Sequence, residues 1–334
     1  MIMINSMLSM KRILVAALAA VFSLSAWSQT TIDDITLEAR GTFHQETRDG
    51  VYGSHFQGDY LNLIVAGKLS DNISFKMRQR LNKDIETTNP FKATDLLWIH
   101  WQPSPKWGFT FGKQGILVGG FEFDSAPIEV YYYSAFCNNM SQYYAFGASA
   151  HYTPAEGQTF SLQFIPSPVS PPTQNAYSYN LYWNGHILPM WKTLWSVNLV
   201  EDELHHRLNY IALGNKFFFG GLVVDIDYIN RAAFTQPRFF SDWTVIGKAI
   251  WTIGKWNLCT KVGYEQNDAA NIDENGISYD AVLQAGHNYL YYGAGIEYFP
   301  LGNDNLRLHA VYFRDNHDTV NNFDLGITWR MKLL

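Results

Sequence analysis

Three cations stand at alternate positions of one short stretch: Lys76, Arg78 and Arg80. Alternate residues of a β-strand share a face, so a strand here would aim all three the same way. Arg40 and Lys68 hold equivalent places on the two preceding stretches, and Arg330 and Lys332 on the last one. A set of acids, Glu122, Asp124 and Glu129, lies in a segment, 117–141, that contains no Lys or Arg. The chemistry open to such sets is selection rather than bond making. Charged walls set the ion preference of a passage. Opposed charges across a narrow slot of low dielectric create a transverse field that favours small polar solutes over apolar ones.

Bond-making readings have less behind them. A hydrolase needs a nucleophile, a base and an orienting group within reach of one another, and no motif supplies them. Glu201-Asp202-Glu203-Leu204-His205-His206 has metal-ligand residue types, but its place in a short loop reads as solvated charge. His287-Asn288 and His317-Asp318 are loop residues with no serine tied to them. We therefore expect no catalytic residues, no metal and no cofactor.

The elements that must position the charges are strands. From Phe323 to Leu333 the odd positions are apolar, while Asp324, Gly326, Thr328, Arg330 and Lys332 occupy the even ones. The pattern recurs with Ile35, Leu37, Ala39 and Phe43 against Glu38, Arg40 and His44. It recurs with Leu61, Leu63 and Val65 against Asn62 and Lys68, and with Ile73, Phe75 and Met77 against the three cations. Trp256, Leu258 and Val262 oppose Asn257 and Lys261; Leu306, Leu308 and Tyr312 oppose Arg307 and His309. Alternating runs of about ten residues separated by turn residues are the mark of a transmembrane β-barrel. The stretches 94–102 and 206–217 alternate poorly and leave their facing open.

Short turns alternate with longer segments, as outer-membrane barrels require. The short ones are Ser70–Asn72, Pro103–Lys106, Pro154–Gly157, Leu188–Met190, Phe219–Gly221, Gly254–Lys255 and Pro300–Asp304, rich in the residues tight turns need. Seven hairpins and two terminal strands predict about sixteen strands, an even number that puts both ends on the periplasmic side. The longer, outward segments fall at 48–56, 84–93, 117–141, 166–176, 201–206, 231–240, 267–288 and 315–320. The third, 117–141, carries Phe121, Phe123 and Tyr131-Tyr132-Tyr133. So many aromatics do not stay in water without cause. Folding into the barrel would bury them, narrow the channel and turn the three acids toward the basic wall; an external lid over the mouth is the alternative. Closure of the last strand on the first would join Arg330 and Lys332 to Arg40, Lys68, Lys76, Arg78 and Arg80 in one basic sector. Whether that sector selects solutes or only solvates the wall stays open at this level.

Export has its own signal. Lys11-Arg12 precedes the apolar run Ile13–Leu24, and Ala26-Trp27-Ser28 offers small residues at a cleavage site. We expect residues 1–28 to be a signal peptide and residues 29–334 a single outer-membrane barrel, with Met10 as an alternative start. Without residues 1–28 the chain has 22 basic and 30 acidic residues, a net charge of −8, which argues against nucleic acid. No later stretch is apolar for about 18 residues, which excludes a helical membrane protein. The aromatic content of 16% suits interfacial girdles, with Trp107, Tyr152, Trp191, Phe217, Trp256 and Phe299 beside the turns. A soluble β-sandwich also alternates, but gives no reason for those positions. Cys137 and Cys259 read as two unpaired thiols.

The chain also resembles a known family. The signal peptide, the strand count and the strand-to-loop run Phe109-Thr110-Phe111-Gly112-Lys113-Gln114-Gly115 look like the phosphate-selective porins of types O and P, in the branch common in Bacteroides-like bacteria. The resemblance implies homotrimers with an inward third loop and a ladder of arginines carrying phosphate; 117–141 here holds no arginine. The expected function is an outer-membrane porin for passive diffusion of small hydrophilic solutes or ions, possible anion or phosphate preference included. Its surroundings would be outer-membrane lipid. A barrel enzyme of lipase or protease type, or a structural or adhesive barrel, is the alternative.

Overall fold

A computed structural model describes residues 30–84, 89, 91–140, 142–170, 175–204, 206–316 and 320–334. The proposed signal peptide and His317-Asp318 lie outside the described residues. Sixteen antiparallel strands form one closed barrel. They are β1 (Thr31–Arg48), β2 (Val51–Ser70), β3 (Ile73–Arg80), β4 (Thr94–Ser104), β5 (Trp107–Gly115), β6 (Tyr144–Ala155), β7 (Gln158–Pro166) and β8 (Tyr177–Leu188). Then come β9 (Trp191–Glu201), β10 (Arg207–Phe219), β11 (Leu222–Ala233), β12 (Trp243–Ile253), β13 (Trp256–Gln266), β14 (Asn288–Tyr298), β15 (Leu306–Asp315) and β16 (Asn321–Lys332). Each strand pairs with its chain neighbours, and β16 closes on β1 with Glu38 opposite Arg330 and Arg40 opposite Thr328. Closure removes sheet edges, where each unsatisfied backbone group in hydrocarbon would cost several kcal/mol. No helix among the described residues is long and apolar enough to cross a membrane.

All seven short turns fall where the sequence puts them, each joining consecutive strands. Outward positions are apolar and uncovered: Val262 is 51% exposed and Leu325 44%. Inward positions are polar and enclosed: Arg307 is 5% exposed and Thr328 0%. Rings pair beside the turns, as Trp107 with Tyr152 (4.8 Å) and Trp191 with Phe217 (5.5 Å). Phe299 departs from the girdle reading. It lines an inner cavity, and Tyr298 packs on Trp256 in its place (4.4 Å).

The first long segment, 48–56, is not a loop. β1 and β2 run on to a two-residue turn, with Arg48 opposite Val51. Asp49 (φ 49°) and Gly50 (φ 81°) are both left-handed, the backbone of the hairpin turn that Asp-Gly favours.

The two ambiguous stretches are strands with local reasons for their ambiguity. In β10, Leu208, Tyr210 and Ala212 point inward yet are apolar, because loop residues cover them; Phe136 meets Tyr210 edge to face at 5.8 Å. In β4 a register shift opposite Arg78 and Gln79 leaves Asp95 as an extra residue between Thr94 and Leu96, a β-bulge. Beyond it Leu97, Ile99 and Trp101 face out.

Candidate functional site: the barrel lumen and its third loop

The loop 116–143, here L3, contains two single-turn helices, α1 (Phe121–Asp124) and α2 (Ala135–Asn138). It is attached strand by strand to inward side chains. The Leu117 N–H donates to Gln163 on β7 (2.8 Å), and its carbonyl accepts from Asn198 on β9 (2.7 Å). The Gly119 N–H donates to Ser196 Oγ (2.8 Å). Asp227 on β11 accepts from the Phe121 and Glu122 N–H groups, both at 2.9 Å. Glu265 on β13 accepts from Ala135 (2.5 Å) and Phe136 (2.9 Å) at the start of α2. These carboxylates satisfy N–H groups that a helix leaves without internal partners. Gly119 and Gly120 permit the close approach. A Cβ on Gly119 would stand 2.6 Å from the Leu194 carbonyl oxygen, and one on Gly214 2.7 Å from Gly120 Cα.

On the far side L3 meets β15, β16 and β1. Arg307 donates to Glu129 (2.5 Å), Arg330 also pairs with Glu129, and Arg40 donates to the Ile128 and Val130 carbonyls (3.2 and 2.9 Å). Burial disfavours the charged form of Glu129, but Arg307 and Arg330 together outweigh it and hold its carboxyl below the ordinary range. Burial raises the hydroxyls of Tyr131, Tyr132 and Tyr133 far above the usual tyrosine range, so all three stay neutral.

The acids of 117–141 thus part company. Glu129 reaches Arg330 of the basic sector. Glu122 instead faces Lys261 on β13 (2.7 Å). Asp124 is exposed, and the cations acting on it are Lys192 and Lys216.

The basic sector is contiguous across β16, β1, β2 and β3, but its arginines are balanced. Arg40 pairs with Asp59 (3.0 Å). Arg78 and Arg80 share Asp95 (3.2 and 2.7 Å). Arg330 holds Glu38 (3.3 Å) besides Glu129. Lys68 and Lys332 are exposed near the strand ends, and Lys76 is half-buried with no ion pair among the described residues. Asp59 and Asp95 escape an alternation count because both sit at bulges, Asp59 where β2 slips between Gly58 and Tyr60.

A second row of charge also needs register to be seen. Lys192, Lys216, Asp225, Lys248 and Lys261 are successive direct partners across β9 to β13. Lys216 pairs with Asp225 (3.4 Å); Lys192 and Lys248 have no ion pair among the described residues. By contrast β6, β7 and β8 carry no Asp, Glu, Lys or Arg.

Toward the extracellular end L3 joins the loop 267–287, here L7, in an apolar core that includes Phe123, Phe136, Met140, Tyr210 and Val282. Arg231 and Asp280 beneath it form an ion pair with both side chains fully buried (2.8 Å). In the region read as metal-like, His206 pairs with Asp202 (2.8 Å), while His205 lies outside the described residues. No group of three or more potential metal ligands occurs among the described residues. Cys137 is buried in α2, and Cys259 faces the lumen from β13; both are free thiols.

A closed sixteen-strand ring, apolar outside and charged within, bears directly on what the chain is related to. Residues 40–184 match the family described as phosphate-selective porin O and P. This is a bacterial outer-membrane porin barrel. No curated protein sequence matches the chain. Among solved structures the porin barrel is similar to OmpF of Salmonella typhi, in a complex with daunomycin. The TM-score is 0.65 at 13% identity, over 89% of this chain and 97% of that one. Outer-membrane OmpT of Vibrio cholerae gives 0.61 at 12% identity, over 90% and 98%. A mutant of Rh. blastica porin gives 0.52 at 12%, over 89% and 100%. At such identity these likenesses establish the fold alone.

Proposed function

We propose that the barrel is a passive diffusion channel for small hydrophilic solutes, driven by each solute's own gradient and without catalysis. One observation carries the reading: the inward faces of a closed membrane barrel hold charged rows, and L3 is tied to those rows. A sixteen-strand ring is wide enough for an aqueous channel, so a loop attached across its inner wall acts as the constriction. In this reading residues 1–28 are removed on export. The copies form a trimer, supported by the family resemblance and by the trimer form of OmpT from Vibrio cholerae.

The sector of Arg40, Lys68, Lys76, Arg78, Arg80, Arg330 and Lys332, together with Glu122, Asp124 and Glu129, sets the solute preference. Because its arginines are matched to carboxylates, any excess attraction for anions rests on lysines without an ion pair, among them Lys76 in the sector and Lys192 and Lys248 in the second row. Phosphate preference has support only from the family name. Planar-bilayer recording of the purified protein tests the whole reading. Discrete channel events are expected, and a folded barrel that never conducts would refute it.

A further inference from the structure

Beneath L3, toward the periplasmic turns, lies a cavity of about 280 Å³ against strands β11 to β16. Simple diffusion gives no account of its lining. Ile246 and Ile250 flank Lys248 on the inward face of β12, and Tyr132 borders the same space from L3. A wall that only solvates water has no use for two isoleucines. The polar groups are also incompletely used. Glu122 is buried with Oε1 on Lys261, while its Oε2 has no hydrogen-bond partner. Asp225 is 7% exposed, and its Oδ1, 3.4 Å from Lys216, accepts no hydrogen bond. Lys248 stands directly opposite Asp225 in the β11–β12 register, yet makes no ion pair with it or with any other described residue.

Buried polar atoms without partners are costly unless something completes them. Two carboxylate oxygens here lack a hydrogen-bond donor, and one ammonium lacks an anion. A simple anion such as phosphate satisfies Lys248 but meets a lining of six carboxylates against four cations. A simple cation satisfies the carboxylates but meets Lys248 and Lys261. A molecule carrying both charges close together, with an apolar remainder for Ile246, Ile250 and Tyr132, answers every group. Small cavities with an apolar surface and a few convergent polar groups are where such ligands bind.

We propose that this cavity is a binding subsite for small zwitterions with an apolar side chain, of the apolar α-amino acid class. The solute ammonium lies toward Glu122 and Asp225, its carboxylate toward Lys248. The subsite gives a solute class to the channel proposed above and rests on that reading for its role in permeation.

The test is titration calorimetry on the folded, detergent-solubilised protein with leucine, leucinamide, isocaproate and inorganic phosphate, beside bilayer recordings of the same preparation. Leucine should bind about tenfold more tightly than leucinamide or isocaproate, the factor expected for one charge-assisted hydrogen bond. Lys248→Gln, which breaks no ion pair or side-chain hydrogen bond among the described residues, should weaken leucine about tenfold and leave leucinamide unchanged. Heat-modifiable mobility verifies that the variant is folded. Equal binding of the three organic ligands, binding of phosphate in place of leucine, or no binding by a conducting protein would each overturn the subsite. A protein that binds leucine but never conducts supports the subsite and overturns the channel reading.

Discussion

Glu129 and Arg307 stand 178 residues apart in the chain and 2.5 Å apart in the barrel. Arg330 meets the same carboxylate from β16. One loop acid thus ties L3 to two neighbouring strands.

That contact has a pH dependence with a definite sign. The folded carboxyl of Glu129 is held below its ordinary range, so its contribution is complete above the usual glutamate pKa of about 4.3 and is lost as pH falls through the depressed folded value. Single-channel current should therefore be steady near neutrality and become noisier below about pH 4. Glu129→Gln should show the noise at every pH. A variant as quiet as the parent at neutral pH would remove Glu129 from the anchoring of L3.

The core shared by L3 and L7 depends on Arg231. Its guanidinium donates to both oxygens of Asp280 and to the Gln266 carbonyl with no solvent exposure. Arg231→Met leaves Asp280 buried and unpaired, which costs about 3–5 kcal/mol. Proteolysis of the folded variant in detergent should then cut within 267–287 while the barrel stays intact. Resistance equal to that of the parent would show that L7 does not need the pair.

Ion preference tests the basic sector. Replacing Lys76, Arg78 and Arg80 by Gln removes three positive charges and leaves Asp95 without either arginine partner. The reversal potential in a salt gradient should move toward cation preference. An unchanged value would mean that these side chains only solvate the wall.

The two cysteines report on access. Cys259 lines the cavity below L3, whereas Cys137 is 1% exposed. A small methanethiosulfonate reagent should label the native protein once, at Cys259, and lower its conductance. Peptide mapping that finds Cys137 modified in the folded protein would contradict the packing of α2.

Several layers of this molecule are written in alternation alone. Period-2 runs and seven tight turns imply sixteen strands because each needs only local backbone chemistry. The exceptions are informative. The Asp49-Gly50 turn is legible in its dipeptide, because a two-residue turn needs only local backbone chemistry. Asp59 and Asp95 were not legible, since a bulge moves a residue off the face that counting assigns to it. β10 looked irregular because its inner face is apolar, and only the presence of L3 over it makes that sensible.

The sequence by itself determined the barrel, its strand count and the inward side of Arg40, Arg78, Arg80, Arg307 and Arg330. The side-chain period of a strand is two wherever the strand goes. Tertiary structure decided which carboxylate each cation meets. Partners such as Glu122 with Lys261 are chosen by strand register and by the path of L3. Both depend on contacts made far apart in the chain, which no local pattern records.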